Sequence, residues 1–267
     1  MSISVVESIK PIEQQYPTGE RPVLVMCSDM SFYICKYMRS PSAAFKLACE
    51  FIGSRMAIAW QIKTPATTFV HIKKEHWTDK LSPYNLSVPS WGSRKLDSII
   101  DVTPSTYDII VPSTTTLRQL LKIALFDFWI ANEDRNSNNA NLLYDVTKNR
   151  LISIDYGCIL NTATFDYPIT QLTPTDTILC SDLFLHLTRG KKKQTFESAI
   201  NELKDNYKNC IRRCNREKKE IISIIPKEWN ISTTLIVDKL EQLFEEQWIT
   251  KVWDNFIECI NENIENE

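Results

Sequence analysis

Two acids and five asparagines crowd into ANEDRNSNNANLL, residues 131–143, and the apolar strand pattern LISIDYG follows at 151–157. Asp134 and Asn139 are five apart. A loop of that length can set a carboxylate against an acceptor hydroxyl while an amide oxygen turns back to a divalent cation. Asp155 leaves an apolar run and precedes Tyr156 and Gly157, where the glycine lets the chain turn away. Magnesium takes hard oxygen ligands and needs few of them from protein, so Asn139 and Asp155 suffice chemically. With Asp134 as the catalytic carboxylate, these are parts that phosphoryl transfer from a nucleotide requires.

That chemistry also needs a cation on the phosphates. Lys36 ends the apolar stretch FYICK, where an unpaired charge is costly. Glu50 lies in the helix pattern that follows, flanked by Cys49 and Phe51, and is its natural partner. The pair is expected to clamp the nucleotide phosphates, with ATP and Mg2+ as cofactors. Gly19 in PTGERP sits between the first presumed strands. Its backbone, with Thr18 and Arg21, is the candidate phosphate cover. There is no GxGxxG and no Walker sequence, which disfavours P-loop and dinucleotide-binding readings.

The elements that must carry these residues divide the chain in two. Up to about residue 110 it reads mostly as strands. Val23–Met26 and 32–37 form a hairpin around Ser28 and Asp29. An earlier strand lies within 2–15, and TTFVHI follows Pro65. One helix, SAAFKLACEFIGSRMAIAW, opens at Pro41 and Ser42, with Phe45, Cys49, Ile52 and Met56 at helical spacing. Pro, Ser and Thr concentrate at 104–116. Then STTTLRQLLKIALFDFWIAN starts a strong helix with a Ser/Thr-rich entrance. From Thr173 the pattern is almost wholly helical, broken at Pro226, with a frayed tail NENIENE. The expected fold is α+β in two lobes: a small antiparallel sheet lobe with one helix (1–110, nucleotide-binding) and a helical lobe (111–267, catalytic loop and metal site). Trp229, Trp248 and Trp253 read as core of the helical lobe. Lys191, Lys192 and Lys193 read as a solvated helix start. Arg135 reads as a structural residue bonding loop carbonyls, and Tyr156 as packing.

The net charge of −2 over 267 residues calls for neither nucleic acid nor an anionic membrane. No apolar run approaches the roughly 18 residues of a membrane span, and the N-terminus lacks a signal-peptide core. The eight cysteines form no CxxC pair, and with three histidines a zinc site is not expected. Free thiols in a reducing cytoplasm is the plain expectation.

WIANEDRNSNNANLL with LISIDYG, YICKYM and EFIGSRMAIAW together resemble the HipA-like kinases, in particular their short stand-alone branch. WGSRKL and IPKEW are similar to that branch's other landmarks, and the resemblance runs from about Gly19 to Leu243. It implies a fold related to protein kinases and phosphoinositide 3/4-kinases, and Ser/Thr kinase activity on a protein substrate. It implies Asp134 as catalytic carboxylate, Asn139 and Asp155 as magnesium ligands, Lys36 on the phosphates and Glu50 as its partner. Asn136 stands where related loops often have His, and Tyr156 where Phe or His is common; neither departure removes a metal ligand. No helix-turn-helix accompanies these motifs, so a toxin role is not carried over. The same residues would serve a kinase for a small-molecule or lipid alcohol, or a pseudokinase that only binds. The sequence leaves the acceptor open.

Overall fold

The alternation of side chains along a short strand decides where the first candidate residue points. β4 (Phe32–Lys36) buries Tyr33 and Cys35 on one face, so Lys36 belongs to the other. The computed structural model describes residues 5–78, 84, 86–161 and 168–265. In it β4 sits inside a six-stranded sheet of order β1-β5-β6-β4-β3-β2. The other strands are β1 (Val5–Glu7), β2 (Gln14–Gln15), β3 (Val23–Met26), β5 (Thr67–His71) and β6 (Ser90–Arg94). β1 pairs with β5 in parallel and the remaining pairs are antiparallel. The registers set Lys36 opposite Trp91 and Trp91 opposite Phe69, one row across three strands. β6 carries no clean alternation, and it entered the sequence reading as a landmark rather than a strand.

Helix α1 (Ala43–Ala59) lies on that row, with the Phe51 and Phe69 rings 5.3 Å apart. Its buried positions run almost all the way round, from Ala44 and Leu47 to Glu50, Ile52 and Gly53. A helix apolar on every side must be enclosed by other elements. The sheet covers one side and α4 (Lys193–Ile224) another, where Arg213 Nε donates to the Ala59 carbonyl at 2.6 Å. Gly53 is where α1 meets the strand exit that carries the site. A Cβ there would lie 2.4 Å from Tyr156 Cβ. Tyr156 is buried, and its hydroxyl donates to Ser153 Oγ at 2.7 Å, as packing rather than chemistry would have it.

Ser113 caps α2 (Thr114–Ile130), accepting from the Thr116 amide at 3.0 Å. After α2 the chain runs through the polar loop into β8 (Leu142–Asp145) and β9 (Arg150–Ser153). These join β7 (Ile99–Asp101) in a three-stranded sheet of order β7-β8-β9, so the chain enters the second sheet before residue 110. The described residues from 174 on are mainly helical: α3 (Asp182–Thr188), α4, α5 (Thr233–Gln242) and α6 (Glu246–Glu265). The last helical run is split where the Leu243 carbonyl accepts from Trp129 Nε1 at 2.9 Å. α6 continues through Glu265, so the tail is helical that far, and residues 266 and 267, the end of the segment expected to fray, lie outside the described residues. Trp229 is not confined to a helical core: it stands edge-on to Phe69 at 5.6 Å and donates to the Pro89 carbonyl, tying the helical part to the sheet. No helix among the described residues is long and apolar enough to cross a membrane.

The polar loop is pinned from beneath by Arg135, which is fully buried. Its Nε donates to Asp127 Oδ2 of α2 at 2.8 Å, and its other nitrogens donate to the carbonyls of Ala140, Asn141 and Ile154. Burial pushes the Asp127 carboxyl up to about 6, against the pull of Arg135.

Arg135→Ala is therefore expected to cost about 3–5 kcal/mol in urea unfolding, since it strands a buried carboxylate and leaves the Ala140 and Ile154 carbonyls without their donor. Gly53→Ala is expected to cost about 1–3 kcal/mol by overpacking against Tyr156. Wild-type midpoints in either variant would contradict this account of the packing.

Candidate active site

Lys36 leaves β4 into a space closed by three carboxylates from three different places in the chain. Its Nζ contacts Glu50 Oε1 of α1, lies 2.9 Å from Asp155 Oδ1 after β9, and lies 2.7 Å from Glu20 Oε2 in the turn before β3. Glu50 is wholly buried, and its second oxygen accepts from the Tyr156 amide at 3.0 Å. Asp155 takes a left-handed backbone, φ 59°, uncommon for any residue but glycine. That turn aims its carboxylate at Lys36 while the Gly157 amide approaches Oδ1 at 3.4 Å. Gly157 has little room: a Cβ would meet Glu50 Oε1 at 3.1 Å.

Charge follows this geometry. Burial would lower the Lys36 pKa, but Glu50, Asp155 and Glu20 outweigh it and hold the ammonium well above its ordinary value. Burial would raise Asp155, but Lys36 outweighs it and holds the carboxyl down at about 2. Burial pushes the Glu50 carboxyl up against the pull of Lys36, and the Asp155 charge adds to the rise. Lys36 stays cationic and Asp155 anionic, with acid in excess around one ammonium. Such a site has room for more positive charge.

Asp134 and Asn139 meet in the loop. Asn139 Nδ2 donates to Asp134 Oδ2 at 3.1 Å, and Asn141 Nδ2 reaches the same oxygen at 3.2 Å. Asn136 and Asn139 exchange backbone bonds, and the Asn138 amide donates to Asn136 Oδ1 at 3.0 Å. The asparagines thus build the loop's shape, and their hold on Oδ2 leaves Asp134 Oδ1 as the open acceptor. The Asn139 side-chain oxygen, turned away from Asp134, is exposed and has no partner among the described residues.

The two clusters adjoin. The Ile154 amide donates to the Asn141 carbonyl at 3.1 Å, one residue before Asp155. Burial pushes the Cys158 thiol up to about 12, and the charges of Asp134, Asp155 and Glu20 add to that rise.

Gly19 sits in an exposed turn beside this cluster, its carbonyl accepting from Arg39 at 2.8 Å. Glu20 was missed from sequence, as was Lys46 of α1, 3.4 Å from Glu20 Oε1. A charged residue in a turn or on the outer face of a helix carries no local mark of the partner it finds. A cavity of about 630 Å³ opens here, lined in part by Glu20, Lys36, Arg39 and Lys46.

A family model for HipA-like kinases matches residues 6–254. No curated protein sequence matches the chain. Among solved structures, the FAT and kinase domain of CtTel1 is 11% identical over 92% of this chain and 24% of that one, with a TM-score of 0.27. The open conformation of CtTel1 is 11% identical over 95% of this chain and 12% of that one, with a TM-score of 0.29. The chain spans a quarter or less of those chains. The family match runs nearly from end to end and takes in each element that brings a carboxylate to Lys36: this protein belongs to the HipA-like kinase family.

Proposed function

We propose that this kinase transfers the γ-phosphate of ATP, with Mg2+, to a Ser or Thr hydroxyl of a protein. The observation that carries the reading is the Lys36 ammonium shared by Glu50 and Asp155, the latter 119 residues away in sequence. A lysine held between a helix glutamate and an aspartate beyond a strand is the arrangement that kinases use to orient nucleotide phosphates. Lys36 holds the phosphates, Glu50 fixes Lys36, and the turn at Gly19 covers them. The donor set suits magnesium: Asp155 offers a carboxylate held ionised, and Asn139 an amide oxygen with no donor among the described residues. The ion, when bound, neutralises phosphate charge at those oxygens.

Asp134 then works on the acceptor. Its Oδ1 takes the hydroxyl proton as the acceptor oxygen bonds to phosphorus and the bond from the γ-phosphorus to the bridging oxygen breaks, releasing ADP. Asn139 and Asn141 hold the other oxygen so that the carboxylate cannot swing away. None of the eight cysteines forms a disulfide and most are buried, which suits a reducing compartment.

Incubating the purified protein with Mg-ATP and a protein acceptor mixture, then mapping phosphosites by mass spectrometry, is expected to find phosphate on Ser or Thr. Phosphate appearing only on a small-molecule or lipid alcohol would refute the acceptor class. Asp134→Asn is expected to keep the thermal shift given by Mg-ATP while turnover falls about 10²–10⁴-fold; undiminished turnover would refute its role. Asp155→Ala is expected to abolish that thermal shift.

A further inference from the structure

We propose that Glu20 is an internal anion occupying the polyphosphate position until a nucleoside triphosphate displaces it, and that Lys46 is a second phosphate-binding cation beside Lys36. This deepens, and rests on, the kinase reading above. Glu20 places one carboxylate oxygen 2.7 Å from Lys36 Nζ and the other 3.4 Å from Lys46 Nζ. Two oxygens of one anionic group bridging two ammoniums is the contact a phosphate would make at the same place.

The three carboxylates on Lys36 are not equally fixed. Glu50 is wholly buried on the side of α1 that faces the sheet, and Asp155 is held by the Gly157 amide as well as by Lys36. Glu20 is the one carried on a surface turn; its side chain is 30% exposed, close to the 34% of Asp155, so its support on the turn and not its exposure sets it apart. Residues 17–19 before it are exposed, and no atom lies within 4 Å of where a Gly19 Cβ would be. The turn can swing without repacking a core. The adjoining cavity is lined by three cations, Lys36, Arg39 and Lys46, with Glu20 as its one acid. Ser40 and Ser42 supply hydroxyls to the same wall. Once Glu20 leaves, the cavity presents three cations and two hydroxyls beside the apolar Ala43, Phe45 and Leu47, and its cationic side fits a polyphosphate.

Glu20 then sets affinity. A triphosphate carries like charge and cannot share Lys36 and Lys46 with a glutamate. Nucleotide binds only the fraction of molecules in which the turn has opened, and apparent affinity falls by that fraction. Because Lys46 is half exposed, the hold that Glu20 has on it weakens with salt.

The test is calorimetric titration of the non-hydrolysable β,γ-imido analogue of ATP, with Mg2+, into wild type, Glu20→Gln, Lys46→Ala and the double variant. Both positions are exposed enough that substitution leaves folding intact, which thermal unfolding without nucleotide verifies. Glu20→Gln is expected to bind about tenfold tighter than wild type. Lys46→Ala in the Glu20→Gln background is expected to bind about tenfold weaker than Glu20→Gln alone, isolating the contact of Lys46 with phosphate. Wild-type affinity or weaker in Glu20→Gln overturns the gate, and an unchanged affinity on adding Lys46→Ala overturns the second cation. If no variant binds the analogue at all, the kinase reading fails, and this inference with it.

Discussion

One buried ammonium organises this molecule. Taking a lysine out of water is tolerable only where countercharge and hydrogen bonds replace the solvent. Lys36 obtains both from Glu50, Asp155 and Glu20, which arrive on a helix, a strand exit and a turn. The fixed partners, Glu50 and Asp155, bind the ammonium from elements far apart in sequence, so it holds those elements in register. α1 is enclosed between the sheet and α4, so Glu50 cannot rotate to solvent to avoid its partner. The sheet, α1 and the β9 exit are thereby locked together around Lys36.

A second polar network does the same for the loop. Arg135 fills the space under 131–141 and takes up carbonyls that neither helix nor strand satisfies. Asp127, itself bonded by Asn132 at 2.8 Å, answers its charge. A satisfied buried network of this kind specifies one loop conformation, whereas a half-satisfied one would be worse than an apolar core. Asp134 inherits its position from it.

The shortage of glycine shows at the same place. The chain has five, yet the site needs sharp turns. Ala131, Asn141 and Asp155 all take left-handed backbone angles, with φ of 52°, 46° and 59°. Asparagine and aspartate tolerate that region better than most residues, and a non-glycine there carries strain that surrounding structure must hold. Here the Arg135 network and the Lys36 cluster are the surrounding structure. The asparagine-rich composition of the loop thus has a backbone reason as well as a chemical one.

What could be read from residue order was whatever local physics signals. Strand alternation at Phe32–Lys36, helical periodicity at Ala43–Ala59 and the Ser/Thr entrance to α2 each mark themselves within a few residues. The pairing of Lys36 with Glu50 was legible because an ionised residue in an apolar segment demands an answer, and only one acid lay in the next apolar helix. Arg135 was legible as structural because it sits where a loop must satisfy its own carbonyls. Other features had no such local sign. β6 lacks alternation yet lies centrally in the sheet, because Trp91 is placed by its neighbours Lys36 and Phe69. Trp229 crosses to the sheet, and the final helix breaks at Leu243 because Trp129 takes its carbonyl. Glu20 and Lys46 look like ordinary surface charges until the turn and α1 are folded against each other. Residue types and spacing alone determined which groups could do chemistry and which elements would carry them. Which charges share one point in space was decided only by tertiary packing, because Coulomb attraction acts through distance and is blind to position along the chain.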